Sequence, residues 1–173
     1  MRKDIIKCCC IGQRAQDLAS GYRDKTHIFH QKYLQTLERA IERHVQNGVR
    51  HFVCGATSEV ALDFAEIVLK LRDKYPDLEL EIDLAFQNQY AKFPPAEQLR
   101  YQQILERADT LLYLFNQQNF HDKRQHDFYM VDNSFYVIAI WNGLQDSEIY
   151  HMITYARGQG KQVDVICPSN VCI

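Results

Sequence analysis

Short apolar runs alternate along the chain with longer segments of helical periodicity. The runs are bounded by glycine, proline or polar residues, as buried strands are. They predict strands over residues 4–11, 49–54, 78–86, 110–115, 135–141 and 162–167. Between them, apolar residues at three- and four-residue spacing predict helices over 29–45, 60–71, 96–108 and 147–157, with another inside 116–133.

This alternation of strand and helix determines the expected fold class. Strands that alternate with helices are joined by right-handed crossovers, so they lie parallel, and the helices cover both faces of the sheet. We therefore predict an α/β protein, a Rossmann-like three-layer α/β/α sandwich with a mostly parallel sheet of about six strands. No repeat, low-complexity segment or linker divides the chain, so residues 1–173 are predicted to form a single domain.

Two of the predicted strands differ in their patterning. Residues 135–141 are apolar throughout, which is typical of a central strand buried on both faces. Residues 78–86 instead alternate between apolar and acidic side chains, with Glu79, Glu81 and Asp83 on one face. This period of two predicts a strand with one solvent-exposed face, nearer a sheet edge.

Composition narrows the possible environments and partners. The chain has 173 residues and a net charge of -2, which gives no electrostatic footprint for duplex DNA or RNA. Its longest apolar run has seven residues, far fewer than the roughly 20 that a membrane helix needs. Asp4 and Lys7 interrupt what would be the apolar core of a signal peptide. We expect a cytoplasmic protein without membrane association.

Six cysteines raise the question of a redox or metal site. They form no C-x-x-C pair and no zinc-like spacing with histidine. Cys8, Cys9 and Cys10 are consecutive within a strand and must alternate between its faces, so they cannot converge on one ion. We interpret the cysteines as small buried hydrophobic residues, with Cys172 the most exposed thiol, and predict no metal.

The carboxyl ends of the strands are the expected ligand-binding edge of such a sheet. An arginine suits phosphate there because its planar fork donates two parallel hydrogen bonds, and a glycine lets the backbone approach a ligand. A serine or threonine can cap the following helix, whose free N–H groups would face an anion. These residue types also serve as ordinary turn and capping residues. The candidates are Gly12, Gln13, Arg14, Gly55, Thr57, Ser58, Gln87, Gln89, Asn142, Gly143, Asp146 and Ser147.

Other candidates are less specific. Arg124 stands out in the polar stretch 121–127, which otherwise resembles a solvated helix face. Trp141 at a strand end can flank a base or pack in the core. The chain lacks the G-x-G-x-x-G, Walker and G-x-S-x-G motifs, which disfavours dinucleotide oxidoreductases, P-loop NTPases and α/β-hydrolases and suggests no cofactor.

The order of short motifs resembles the SLOG superfamily, the Rossmann-like group that includes the LOG phosphoribohydrolases and the fold of the DprA recombination mediator. The chain is most similar to the YpsA-like branch. The resemblance rests on I-G-Q-R at 11–14, where that branch has T-G-x-R, and on C-G-A-T at 54–57 leading to Ala65-Glu66. It continues through M-V-D-N-S at 130–134, I-A-I-W-N-G at 138–143 and Y-A-R ahead of Gly160-Lys161. It implies binding of a nucleotide or nucleotide derivative as a small-molecule partner.

Departures from the branch pattern weaken the case for catalysis. They fall at Glu59, Ala61, His126, Asp127 and Gln145. The LOG motif P-G-G-x-G-T-x-x-E has Ser147 at its threonine and Tyr150 at its glutamate, so the general acid/base of N-glycosidic hydrolysis is missing.

Three hypotheses follow from these residues and this resemblance. The first is a nucleotide-binding or sensing protein without robust catalysis. The second is a LOG-like hydrolase of nucleoside monophosphates, with Arg14 and Arg124 holding phosphate and Glu66 or Glu148 as acid/base. The third is a scaffold that has lost its ligand site. A homodimer is compatible with all three.

Overall fold

Six parallel strands build the sheet that the sequence pattern predicts. The computed structural model describes residues 5–18, 25–116, 119 and 122–168. The strands are β1 (Lys7–Gly12), β2 (His51–Cys54), β3 (Glu79–Leu84), β4 (Thr110–Tyr113), β5 (Tyr136–Ile140) and β6 (Gln162–Ile166). They lie side by side in the order β4-β3-β2-β1-β5-β6, and every neighbouring pair is parallel. The fold is thus of the Rossmann-like α/β type.

Five helices connect these strands. They are α1 (Ile28–Gln46), α2 (Glu59–Leu71), α3 (Pro95–Arg107), α4 (Lys123–Asp132) and α5 (Glu148–Gly158). Local signals in the sequence set their ends. Gly48 adopts a φ of 93° just after α1, and Asp122 caps α4 by accepting a hydrogen bond from the Arg124 amide at 2.9 Å.

The helices cover the two faces of the sheet in separate groups. Buried side chains of α1, α2 and α3 pack with Cys8, Cys10, Phe52 and Ile82 on one face. Buried side chains of α4 and α5 pack with Cys9, Ile11, Val53 and Val137 on the other. The alternation predicted for the three consecutive cysteines is therefore confirmed. This arrangement gives the three predicted layers.

Four of the cysteines behave as small buried hydrophobic residues. Cys8, Cys9, Cys10 and Cys54 are free and buried. Burial raises the pKa of the Cys9 and Cys54 thiols to about 12, so these groups stay protonated. Cys167 differs from the prediction because it is disulfide-bonded. Cys172 lies outside the described residues.

Glu81 and Asp83 on the acidic face of β3 are buried, which corrects the expectation of a solvated face, whereas Glu79 at the start of the strand is exposed. β3 is the second strand from the sheet edge, yet Glu81 and Asp83 are only 4% and 1% exposed. Glu81 Oε2 accepts hydrogen bonds from Lys7 Nζ at 2.7 Å and His51 Nε2 at 2.5 Å. The negative charge of Glu81 is therefore stabilised by Lys7 of β1 and His51 of β2 and not by solvent.

Glu81 and Asp83 share one proton at neutral pH. Burial, the adjacent charge of Glu81 and a hydrogen bond to it raise the pKa of Asp83 to about 8. Burial opposes ionisation of Glu81 as well, but hydrogen bonds from His51, Lys7 and Asp83 lower its pKa to about 2. Asp83 therefore carries the proton and Glu81 the charge.

No helix of the described ranges is both long and apolar enough to cross a membrane.

We expect Asp83→Asn to remove a pH-dependent loss of stability. The pKa of Asp83 rises on folding from an ordinary value of 3.8 to about 8. Between these values the unfolded chain releases this proton and the folded chain keeps it, so stability falls as the pH rises through that window. Urea unfolding should show the variant to be more stable than the wild type at pH 8 by at least about 1.4 kcal/mol, the equivalent of one pK unit.

The advantage of Asp83→Asn should shrink as the pH is lowered towards 5. Asp73→Asn is the control, because Asp73 is exposed in the turn after α2. A variant that is less stable than the wild type by the same amount at pH 5 and pH 8 would show that Asp83 is ionised in the fold.

Candidate functional site at the switch between β1 and β5

The winding direction of the sheet changes between β1 and β5. From β1 the chain adds β2, β3 and β4 on one side, and it then returns to place β5 and β6 on the other. The loops after β1 and β5 therefore leave the same edge of the sheet in opposite directions. In open α/β sheets, this divergence is where a ligand crevice forms.

A cleft of about 620 Å³ lies at this edge. Gly12, Gln13 and Arg14 line it from the loop after β1, and Asn142 and Ser147 from the loop after β5, as predicted from the sequence. Asp146, another of the candidates, lines it too, together with Asp17, Lys123, Leu144, Glu148 and Ile149. Strand ends that are far apart in sequence are thus brought together as one wall.

Gln13 and Asn142 join the two loops through their side-chain amides. Gln13 Oε1 accepts a hydrogen bond from the backbone N–H of Asn142 at 2.6 Å. Asn142 Nδ2 donates to the Asp17 carbonyl oxygen at 2.9 Å. Gly143 follows with a φ of 91°, a conformation that favours glycine in this turn. These residues shape the cleft by holding its loops together.

The N-terminus of α5 also lines the cleft. Ser147 caps the helix, since its Oγ accepts a hydrogen bond from the Tyr150 amide at 3.2 Å. Trp141 donates from Nε1 to Ser147 Oγ at 3.0 Å and stacks on Tyr150 with 5.5 Å between ring centroids. Trp141 therefore packs against α5, the commoner of its two predicted roles.

The cations near the cleft are not equivalent. Arg14 is largely exposed and donates from Nε to Asp17 Oδ2 at 3.1 Å. Arg124 does not line the cleft, and Asp122 holds its guanidinium at 2.6 Å. Lys123 lines the cleft with its Nζ 3.5 Å from both the Gly12 carbonyl oxygen and Asp127 Oδ2.

Lys123 is the cation of the cleft that sequence reasoning missed. It precedes Asp127 by four residues and Met130 by seven, and both of these are buried. Positions spaced in this way share a helix face, so the buried face of α4 turns Lys123 towards the sheet. Arg124, one position later, is directed away from the cleft. Periodicity alone does not distinguish the two, because Arg124 likewise precedes the buried Asp127 and Val131 by three and seven residues; the packing of α4 does.

The remaining predicted residues lie beyond the cleft, at the ends of β2 and β3. Gln89 Nε2 donates to the Gly55 carbonyl oxygen at 2.9 Å, and its Oε1 accepts from the Ala85 amide at 2.8 Å. Ser58 is the N-cap of α2 but makes no capping hydrogen bond through its side chain, and Thr57 precedes it. Ligand contact at these positions stays a prediction.

Gly55 is covered by a histidine ring. A Cβ atom at Gly55 would lie within 3.1 Å of three ring atoms of His126, which is fully buried. His126 Nε2 also donates to the Asp83 carbonyl oxygen. Burial lowers the pKa of His126, so the ring is neutral. The space beside Gly55 that we assigned to a ligand is occupied by this side chain.

Of the two carboxylates considered for acid/base chemistry, Glu148 alone lines the cleft. Glu66 lies on the outer surface of α2, where it accepts hydrogen bonds from Arg100 at 2.8 Å. Among the described residues, no group of three or more His, Cys, Asp or Glu side chains is placed to hold a metal ion. The cleft thus combines two cations with carboxylates and a helix N-terminus.

Comparison with known families agrees with this architecture. Residues 8–167 match the YpsA family model, described as the YspA SLOG family. No curated protein matches the chain.

We predict that Gly12→Ala destabilises the protein through helix packing. A Cβ at Gly12 would lie 2.6 Å from Val60 Cγ2 and 3.3 Å from Ile140 Cβ, and both neighbours are fully buried. Overpacking of this kind costs about 1 to 3 kcal/mol. Chemical denaturation measures the change in the free energy of unfolding.

Gly158→Ala is the matched control, because a Cβ there meets nothing within 4 Å. It should leave stability unchanged or raise it by up to about 1 kcal/mol. Equal stability of the Gly12→Ala variant and the wild type would show that α2 does not need glycine at the end of β1.

Proposed function

Because the chain belongs to the YpsA SLOG family, we propose that it binds a phosphate-bearing nucleotide or nucleotide derivative in the cleft between β1 and β5 and acts as a binding or sensing protein. The observation that carries the proposal is the meeting of Arg14, Lys123 and the N-terminus of α5 in one cleft. A helix N-terminus and a cation together form a favourable environment for phosphate.

The anionic end of the ligand binds where positive charge is concentrated. Among the described residues, the contacts of Lys123 Nζ are long, at 3.5 Å, so its ammonium group can exchange them for shorter hydrogen bonds to phosphate oxygens. Arg14 reaches the same cleft from the loop after β1 and is 64% exposed at its side chain. Its terminal nitrogens lie 3.2 and 3.3 Å from the side-chain oxygen of Gln16, an exposed partner that phosphate oxygens can replace.

The carboxylates suit the uncharged part of a nucleotide. Asp146 and Glu148 line the cleft beside Ser147, and a carboxylate accepts hydrogen bonds from ribose hydroxyls. Phosphate alone would be repelled by these groups. A ligand that carries both hydroxyls and phosphate can place each near its complement. The cleft of about 620 Å³ falls within the range of small-molecule sites.

Binding is better supported than catalysis. Tyr150, at the position of the LOG glutamate, stacks on Trp141 and provides no carboxylate. Glu148 is the one observation that favours a LOG-like hydrolase, since it lies in the cleft at the start of α5. Incubation with nucleoside monophosphates and chromatography for free base tests this second candidate. Release of base that Glu148→Gln abolishes would establish it.

We predict that Lys123→Ala weakens nucleotide binding while Arg124→Ala does not. Calorimetric titration with a panel of nucleoside 5′-monophosphates and 5′-diphosphates should identify a ligand of the wild type. Lys123→Ala should lower its affinity by about tenfold or more, because a hydrogen bond to a charged group contributes about 1.5 to 3 kcal/mol.

Arg124→Ala is the matched control, since it removes one positive charge at the next residue of the chain, which does not line the cleft. Its affinity should stay within about twofold of the wild type, because exposed charges outside a site act weakly. Absence of binding by every nucleotide, or equal losses in the two variants, would contradict the proposed site.

A further inference from the structure

We infer that His126 positions Lys123 in the cleft by acting as a wedge between α4 and the ends of β2 and β3; the inference rests on the proposed function of that cleft. His126 does not line the cleft, nor does Gly55, against which its ring lies. A residue outside the ligand site thereby controls the cation within it.

The histidine ring is fitted to its place on two strands. At Gly55, directly after β2, a Cβ would overlap the ring Cε1, so only glycine leaves room for the ring. At β3 the ring donates from Nε2 to the Asp83 carbonyl oxygen. The ring is fully buried and cannot move outwards as the tip of a flexible side chain could.

This contact is the anchor of the N-terminal half of α4. The buried side chains of this helix are His126, Asp127, Met130 and Val131, and the last two pack in the core near its C-terminus. Lys123 lies three residues before His126, and Asp127 Oδ2 lies 3.5 Å from its Nζ. Any shift of the ring therefore moves the first turn of α4, and Lys123 with it.

The first test measures the placement of Lys123 without any ligand. Acetylation by acetic anhydride, followed by peptide mass spectrometry, reports the accessibility of individual lysines. Both His126→Ala and Gly55→Ala should accelerate modification of Lys123 by about twofold or more, the lower limit for coupling between residues in contact. Lys161, whose Nζ donates to the Asp132 carbonyl oxygen at 3.1 Å, is the internal reference and should keep its wild-type rate.

A matched buried histidine separates positioning from loss of stability. His44 is 5% exposed, and its Nε2 is 2.9 Å from Asp164 Oδ2, between α1 and β6. His44→Ala should destabilise the protein but leave the rate at Lys123 unchanged. His126→Gln retains an N–H donor for the Asp83 carbonyl and should keep a rate near that of the wild type. If His126→Ala does not fold, Gly55→Ala remains as the disruptive variant.

The second test concerns binding and the specificity of the contact. With the nucleoside monophosphate that the wild type binds, affinity should fall in His126→Ala and in Gly55→Ala. The double variant should lose no more than either single one, because the methyl group that Gly55→Ala adds then occupies space that the ring has left. An unchanged acetylation rate of Lys123 in both single variants would overturn the inference, even if nucleotides bind. If no nucleotide binds but acetylation of Lys123 is faster in His126→Ala and Gly55→Ala, the proposed nucleotide ligand is rejected and the positioning role of His126 is retained.

Discussion

β1 is hydrogen-bonded along both edges, to β2 on one side and to β5 on the other. The helices that follow these two neighbours, α2 and α5, lie on opposite faces of the sheet. Cys10 lies opposite Cys54 in β2 and Ile138 in β5, so the end of β1 is held from both sides. Helices α1 to α3 cover one face, and α4 and α5 the other. The cleft exists because no helix can cover the edge where the connections diverge.

Side chains from distant parts of the chain stabilise this edge. Gly12 permits α2 to approach the end of β1, since a Cβ there would meet Val60 at 2.6 Å. His126 brings α4 against Gly55 on the opposite face, where a Cβ would find equally little room. Gly12 and Gly55, which we predicted to lie beside a ligand, thus allow helices to pack closely on the sheet. The packed helices α4 and α5 place Lys123 and Ser147 in the lining of the cleft. Packing and binding are linked through these close contacts.

The order of strands and helices could be predicted because each element carries its own periodicity. The cleft residues Gly12 to Arg14 and Asn142 could be predicted from strand ends and the rules of parallel sheets. Contacts between elements could not. The alternation of Glu81 and Asp83 with apolar residues indicates a polar face. Whether that face contacts water or side chains such as Lys7 and His51 depends on the neighbouring strands. The sequence likewise indicates Arg124 as the ligand-binding cation of this stretch, whereas Lys123 lines the cleft. Only the packing of α4 shows which of the two side chains faces the sheet.

The most direct test of the cleft as a nucleotide site is amide chemical-shift perturbation in ¹⁵N-labelled wild-type protein on addition of a nucleoside 5′-monophosphate. We expect the largest shifts at Gly12, Gln13 and Arg14 and at Glu148 and Ile149, with small shifts around Gln87 and Asn116, which line a separate cleft beside β4. Perturbation confined to that second cleft, or none at saturating nucleotide, would contradict the account.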